Sequence, residues 1–102
     1  MSDIQIHLDS KQVALEKYLP FVKQGALMTS IDQPLKFGEE HRLTVKLPEL
    51  KQEISCDVRV VWIRGDGHQE KKKYGLQFLG DEGFELNQVL ENYLVGLLKH
   101  NE

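Results

Sequence analysis

The side chains able to do chemistry are scattered along this chain rather than grouped. His7, His41, His68 and His100 lie far apart, and none shows the spacing with another histidine or with Cys56 that closes a ligand set around a metal. Each reads as a surface or strand-face residue. Cys56 is the 1 cysteine present. A nucleophilic thiolate needs a nearby cation or base to lower its pKa. Nothing nearby in sequence would lower it, so a buried structural thiol is expected. Glu39-Glu40 and Asp81-Glu82 are carboxylate pairs. Adjacent side chains rarely converge on one substrate, and turn solvation and helix-start electrostatics account for them better. No phosphate-cradling loop, dinucleotide fingerprint, nucleophile elbow or paired-histidine zinc motif is present. The expectation is a protein that is not an enzyme, with no catalytic residue, metal or cofactor.

Composition narrows the partners. The net charge of −3 opposes general binding to nucleic acid or anionic membranes, which depends on a basic field. The basic run Lys71-Lys72-Lys73 reads as the solvated tip of a polar loop. The arginines Arg42, Arg59 and Arg64 fall on later strands. With 102 residues, 40% hydrophobic and 28% charged, the chain reads as a single globular domain over residues 1–102. Met1-Ser2-Asp3-Ile4 lacks the cationic start of a secretory leader, and no apolar run approaches the roughly 20 residues of a membrane span. A lone cysteine suits a reducing compartment. A cytoplasmic location without direct membrane insertion is therefore expected.

The elements that position these residues follow from periodicity. Ile4, Ile6 and Leu8 alternate with polar residues as a half-buried strand. Ser10 is placed to cap a short helix carrying the pairs Ala14/Tyr18 and Leu15/Leu19, which Pro20 ends. Phe21 to Thr29 reads as a strand with an irregular entry at Gly25. Asp32-Gln33-Pro34 and Phe37-Gly38-Glu39-Glu40 are turn chemistry. Leu43, Val45 and Leu47 alternate next, closed by Pro48. Ile54, Cys56, Val58, Val60 and Trp62 share one face of the following strand. Val61 and Ile63 make its end apolar on both sides, which signals burial on both faces or an exposed site that something else covers. Gly65 to Glu70 and the lysines form a hairpin loop into Tyr74, Leu76 and Phe78. Leu86, Val89, Leu90, Tyr93, Leu94, Leu97 and Leu98 then trace an amphipathic helix. Strands over about residues 3–80 and a helix over about 82–99 predict a mostly β fold. Its form is a small antiparallel barrel or sandwich with the C-terminal amphipathic α-helix packed on it.

Three landmarks occur in order: Tyr18-Leu19-Pro20-Phe21-Val22-Lys23-Gln24-Gly25, Val58 to Trp62, and Gly75 to Phe78. With Phe37-Gly38-Glu39-Glu40 and Leu47-Pro48 they resemble the PilZ domain over about residues 12–98. Cyclic-di-GMP-binding members carry an Arg-x-x-x-Arg run and then Asp/Asn-x-Ser-x-x-Gly. With Gly25 as the last glycine, Pro20 stands at the Asp position and Val22 at the Ser position, and no arginine precedes Arg42. Arginine suits that ligand because its fork binds phosphate bidentately and stacks on guanine. Lys11 and Lys17 lack the fork, and Val22 offers no hydroxyl.

The chain is most similar in this respect to the type IV pilus assembly PilZ proteins. That resemblance implies a PilZ-type β-barrel and an adaptor in pilus biogenesis and twitching motility. It would bind the pilus assembly ATPase and a degenerate EAL-domain cyclic-di-GMP receptor without itself binding the nucleotide. Replacing Asp and Ser by Pro20 and Val22 makes the old pocket rim apolar. Tyr18, Leu19, Phe21 and Val22 thus form one candidate protein-interaction surface, and Trp62 with Ile63 a second, each weighed against simple core packing. Two rivals stay open: a cyclic-di-GMP receptor using non-standard contacts, and a small-barrel nucleic-acid-binding module built on Trp62, Tyr74, Arg64 and Lys71 to Lys73.

Overall fold

The computed structural model describes residues 3–31, 34–47, 53–65 and 72–95. Its elements are β1 (Asp3–His7), α1 (Lys11–Lys17), β2 (Ala26–Ile31), β3 (Glu40–Lys46), β4 (Glu53–Arg64), β5 (Lys72–Leu79) and α2 (Gly80–Tyr93). The strands form one sheet in the order β1-β3-β4-β5-β2, curled into a half-barrel. The mostly β architecture with a C-terminal helix is as the sequence predicts. One pairing is parallel, β1 with β3, and the others are antiparallel. The chain passes through α1 and β2 between β1 and β3, a connection long enough for a parallel neighbour.

Alternation along each strand assigns its faces. Ile4 and Ile6, Leu43 and Val45, Cys56, Val58 and Val60, and Tyr74, Leu76 and Phe78 are buried in one cluster with Leu86, Leu90 and Leu94. Burial of each large apolar side chain stabilises the fold by about 1.5–3 kcal/mol. The Tyr74 hydroxyl, deep in this core, accepts the Leu35 N–H at 3.1 Å. Arg42 ties the start of α2 to the sheet through a bidentate pair with Glu82 at 2.8 and 3.1 Å.

Several local expectations shift. Ser10 does cap α1, its hydroxyl accepting the Val13 N–H at 3.2 Å. The helix stops at Lys17, however, because Tyr18 is already extended and bridges Leu27; Leu19 therefore lies off the helix. The strand expected from Phe21 begins only at Ala26. Gln24 at φ 66 and Gly25 at φ 85 are both left-handed, outside the β region that a regular strand requires. Lys72 and Lys73 belong to β5 rather than to a loop tip, while Asp66 to Lys71 lie outside the described residues. The helix starts at Gly80, and Leu97 and Leu98 fall outside them as well. Among the described residues no helix is long and apolar enough to cross a membrane.

Candidate functional site

The backbone between α1 and β2 forms a strap over the sheet's outer face. Tight local bonds hold it: Leu19 N–H to Ala26 O at 2.8 Å and Gly25 N–H to Val22 O at 2.8 Å. The sheet grips it from below, with Phe78 N–H donating to Gly25 O at 3.0 Å and the Gln77 amide to Lys23 O at 2.9 Å. Gln24 reaches the Gly80 carbonyl at 2.9 Å. At its root, the Tyr18 hydroxyl donates to Asn87 on α2. Gly25 lies so close to this contact that an added Cβ would sit 2.7 Å from Asn87 Cγ. Left-handed φ and close approach together restrict the position to glycine.

A second device sits across from the strap on β4. The pairing slips between Val60 and Trp62, so that Val60 opposes Leu76 and Trp62 opposes Gly75. Val61 is the extra residue of a β-bulge, which reverses the facing of the strand residues after it. Trp62 was expected on the Cys56 face; the bulge turns it outward instead, where it is 39% exposed. Gly75 provides its seat: a Cβ there would lie 2.9 Å from Trp62 Cβ and 3.6 Å from Leu19 Cδ1.

Strap and bulge together enclose an apolar cleft of about 380 Å³, lined by Leu19, Phe21, Val22, Met28, Val61 and Trp62. Phe21 stands at its edge, 81% exposed. None of these side chains is ionisable, so the cleft suits apolar anchors and offers nothing for proton transfer or nucleophilic attack. A neighbouring cleft of about 250 Å³ is lined by Glu16, Lys17, Met28, Thr29, Ser30 and Lys73, sharing Met28 with the first.

The two surfaces proposed from sequence are thus parts of one. Leu19, Phe21 and Val22 meet Trp62, whereas Tyr18 is buried at 4% and acts as the strap's internal anchor. That is a correction, forced by the extended Tyr18 backbone, which bridges Leu27 and places the ring against α2. Ile63 also stands apart: it pairs with Tyr74, on the opposite face from Trp62, and is 37% exposed. Met28 and Val61 were missed. Met28 was legible in principle, since an inward Leu27 sends its neighbour outward. Val61 lines the cleft because of the bulge.

Several other reactive groups among the described residues are occupied structurally. Burial pushes the Cys56 thiol up to about 11, away from thiolate chemistry. Glu39 accepts the Lys36 N–H at 2.6 Å, and chiefly this bond holds its carboxyl below the usual range. His41 is buried 3.6 Å from Glu39. Arg59 pairs with Glu40 at 2.9 Å, and Arg42 with Glu82 and, at 3.1 Å, with Asp57. The Arg42 hydrogen bonds hold the Glu82 carboxyl low. Among the described residues no cluster of His, Cys, Asp or Glu fits a metal ion.

The model of the PilZ domain family matches residues 1–96. The chain belongs to the PilZ domain family. No curated protein matches it. PilZ domains are in general non-catalytic binding and adaptor modules, associated with cyclic-di-GMP signalling. In this PilZ domain Val22 lines the apolar cleft, and Pro20 beside it is exposed.

Proposed function

We propose that this PilZ domain is a non-catalytic adaptor that docks a partner protein in the cleft between the strap and Trp62. The observation that carries this reading is a preformed cleft lined by six apolar side chains, with Phe21 at 81% exposure beside it. Large exposed aromatics around an apolar pocket are what protein interfaces use as anchors. A cyclic dinucleotide needs cations for its phosphates. Pro20 and Val22 offer none where nucleotide-binding members carry their Asp and Ser, and no arginine precedes Arg42 to supply their paired forks. The proposed setting is cytoplasmic, in type IV pilus assembly. The partners would be the pilus assembly ATPase and a degenerate EAL-domain cyclic-di-GMP receptor, so that the nucleotide signal arrives through the partner.

Calorimetric titration with cyclic-di-GMP, followed by the pilus assembly ATPase, tests this. No heat with the nucleotide and saturable heat with the ATPase, lost in Phe21→Ala and Trp62→Ala, is the expected result. Micromolar or tighter nucleotide binding would overturn the adaptor reading in favour of a receptor with non-standard contacts. Equal ATPase capture by folded Phe21→Ala and Trp62→Ala chains would move the docking site elsewhere.

A further inference from the structure

The outer face beside the cleft carries an ordered change of chemistry. Strand pairing places Trp62 opposite Gly75 and Arg64 opposite Lys73, and the same register sets Gly75 opposite Met28 and Lys73 opposite Ser30. Because strand side chains repeat every second residue, these are two successive rows on one face. The first row, Trp62-Gly75-Met28, floors the apolar cleft. The second row, Arg64-Lys73-Ser30, brings two cations alongside, and directly opposed cross-strand residues lie about 5 Å apart. Lys17 joins Lys73 at the adjoining cleft, which also contains Thr29, Ser30 and one carboxylate, Glu16. Arg64 and Lys73 are exposed, and among the described residues no carboxylate forms an ion pair with either. Arg42 and Arg59 are paired with acids from their own chain, so this row stands out in a chain of net charge −3.

We infer that the segment received by this surface is an acidic amphipathic stretch of a partner protein. It places an apolar side chain in the cleft and carboxylates over Arg64, Lys73 and Lys17. The inference rests on the docking role proposed above and adds the chemistry of the docked segment. Charge complementarity across such a rim sets partner choice and association rate more than bulk affinity. A protein segment fits better than a nucleic acid or an anionic bilayer. The cations form a short row against an apolar floor, Glu16 lies at the rim, and the chain as a whole repels polyanions.

The test uses three synthetic amphipathic peptides sharing one apolar face, with Glu, Gln or Lys along its edge, titrated against the full chain by fluorescence anisotropy. Tightest binding by the Glu peptide is expected, weakened about tenfold by Arg64→Glu with Lys73→Glu and abolished by Trp62→Ala. Thermal melts confirm that the variants remain folded. No binding by the Glu peptide, equal binding of all three, or indifference to the charge reversals overturns the inference. So does preferential capture of single-stranded DNA or phosphatidylserine vesicles through the same residues. The pilus assembly ATPase is titrated in parallel with the charge-reversed chain. ATPase binding that ignores Arg64 and Lys73 would sink the acidic-segment inference and leave the adaptor role standing. Glu-peptide binding without ATPase binding would keep the acidic-segment inference and remove the pilus assembly ATPase as the partner.

Discussion

On the inner face of the sheet, Tyr74, Leu76 and Phe78 of β5 are closed over by α2 and the facing strands. On the outer face, Leu19, Phe21, Val22, Met28, Val61 and Trp62 are drawn from the same apolar residue types, yet they leave a cleft open. Hydrophobicity does not separate the two groups; backbone geometry does. The inner residues lie on regular ladders, where period-two alternation sends them into the core. Met28 is turned outward by regular alternation, but the other outer residues belong to the strap that ends in the left-handed pair Gln24 and Gly25 or to the bulge between Val60 and Trp62. Stability should therefore reside on one face and recognition on the other.

Phe78→Ala gives the largest test of that division. The ring is fully buried, and its loss should cost about 3–5 kcal/mol in urea denaturation, as large-to-small core changes do. A cost below about 1 kcal/mol would show that the inner face is not what holds the fold. Gly75→Ala probes the boundary between the faces. Its Cβ would meet Trp62 Cβ at 2.9 Å, so the two strands must part locally, at about 1–2 kcal/mol. Adding Trp62→Gly removes the opposing Cβ, and the double variant should be less destabilised than the sum of the single ones. Strict additivity would mean that Gly75 is not the seat of Trp62.

The inner face was legible in the sequence and the outer one only in part. Ile4 and Ile6, Leu43 and Val45, and Tyr74, Leu76 and Phe78 announce their facing through alternation, and all are buried as that pattern requires. The Leu86/Leu90/Leu94 stripe likewise announces α2. Trp62 defeats the same logic, because a bulge shifts the count by one and leaves only an ambiguous apolar run, Val60 to Ile63, in the sequence. Tyr18 defeats it too. Its i,i+4 spacing from Ala14 suggests helix, but its hydroxyl is used by Asn87, 69 residues away, a contact that local pattern cannot contain. The meeting of Phe21 with Trp62 is of the same tertiary kind.

Tyr18→Phe sharpens the comparison from the strap's root. Losing the hydroxyl's bond to Asn87 should cost about 1 kcal/mol and loosen the strap without emptying the core. The pH dependence is a second readout. Burial first, then the Glu91 charge and its hydrogen bond, push the Tyr18 hydroxyl from 10.0 up to about 12. Below pH 10 the phenol is protonated in both states. Between about pH 10 and 12 the unfolded chain releases a proton that the folded chain retains, so stability falls as pH rises through that window. Tyr18→Phe should flatten this fall in alkaline melts, and an unchanged slope would detach Tyr18 from the strap's stability.

The smallest expected effect on stability is the most telling for function. Phe21 is 81% exposed, so truncation to alanine removes little buried surface. Stability should change by no more than about 0.5 kcal/mol, the ordinary range for surface positions. Strap and sheet stay joined through main-chain bonds that the substitution does not touch, from Leu19 to Ala26 and from Phe78 to Gly25. A fold that ignores Phe21 has no structural use for an aromatic ring held out on a pinned turn, and partner capture is where its loss should appear. If Phe21→Ala instead lowers the melting temperature as much as Gly75→Ala does, the ring belongs to the packing of the strap. The division between a stabilising inner face and a recognising outer face then fails at its most exposed point.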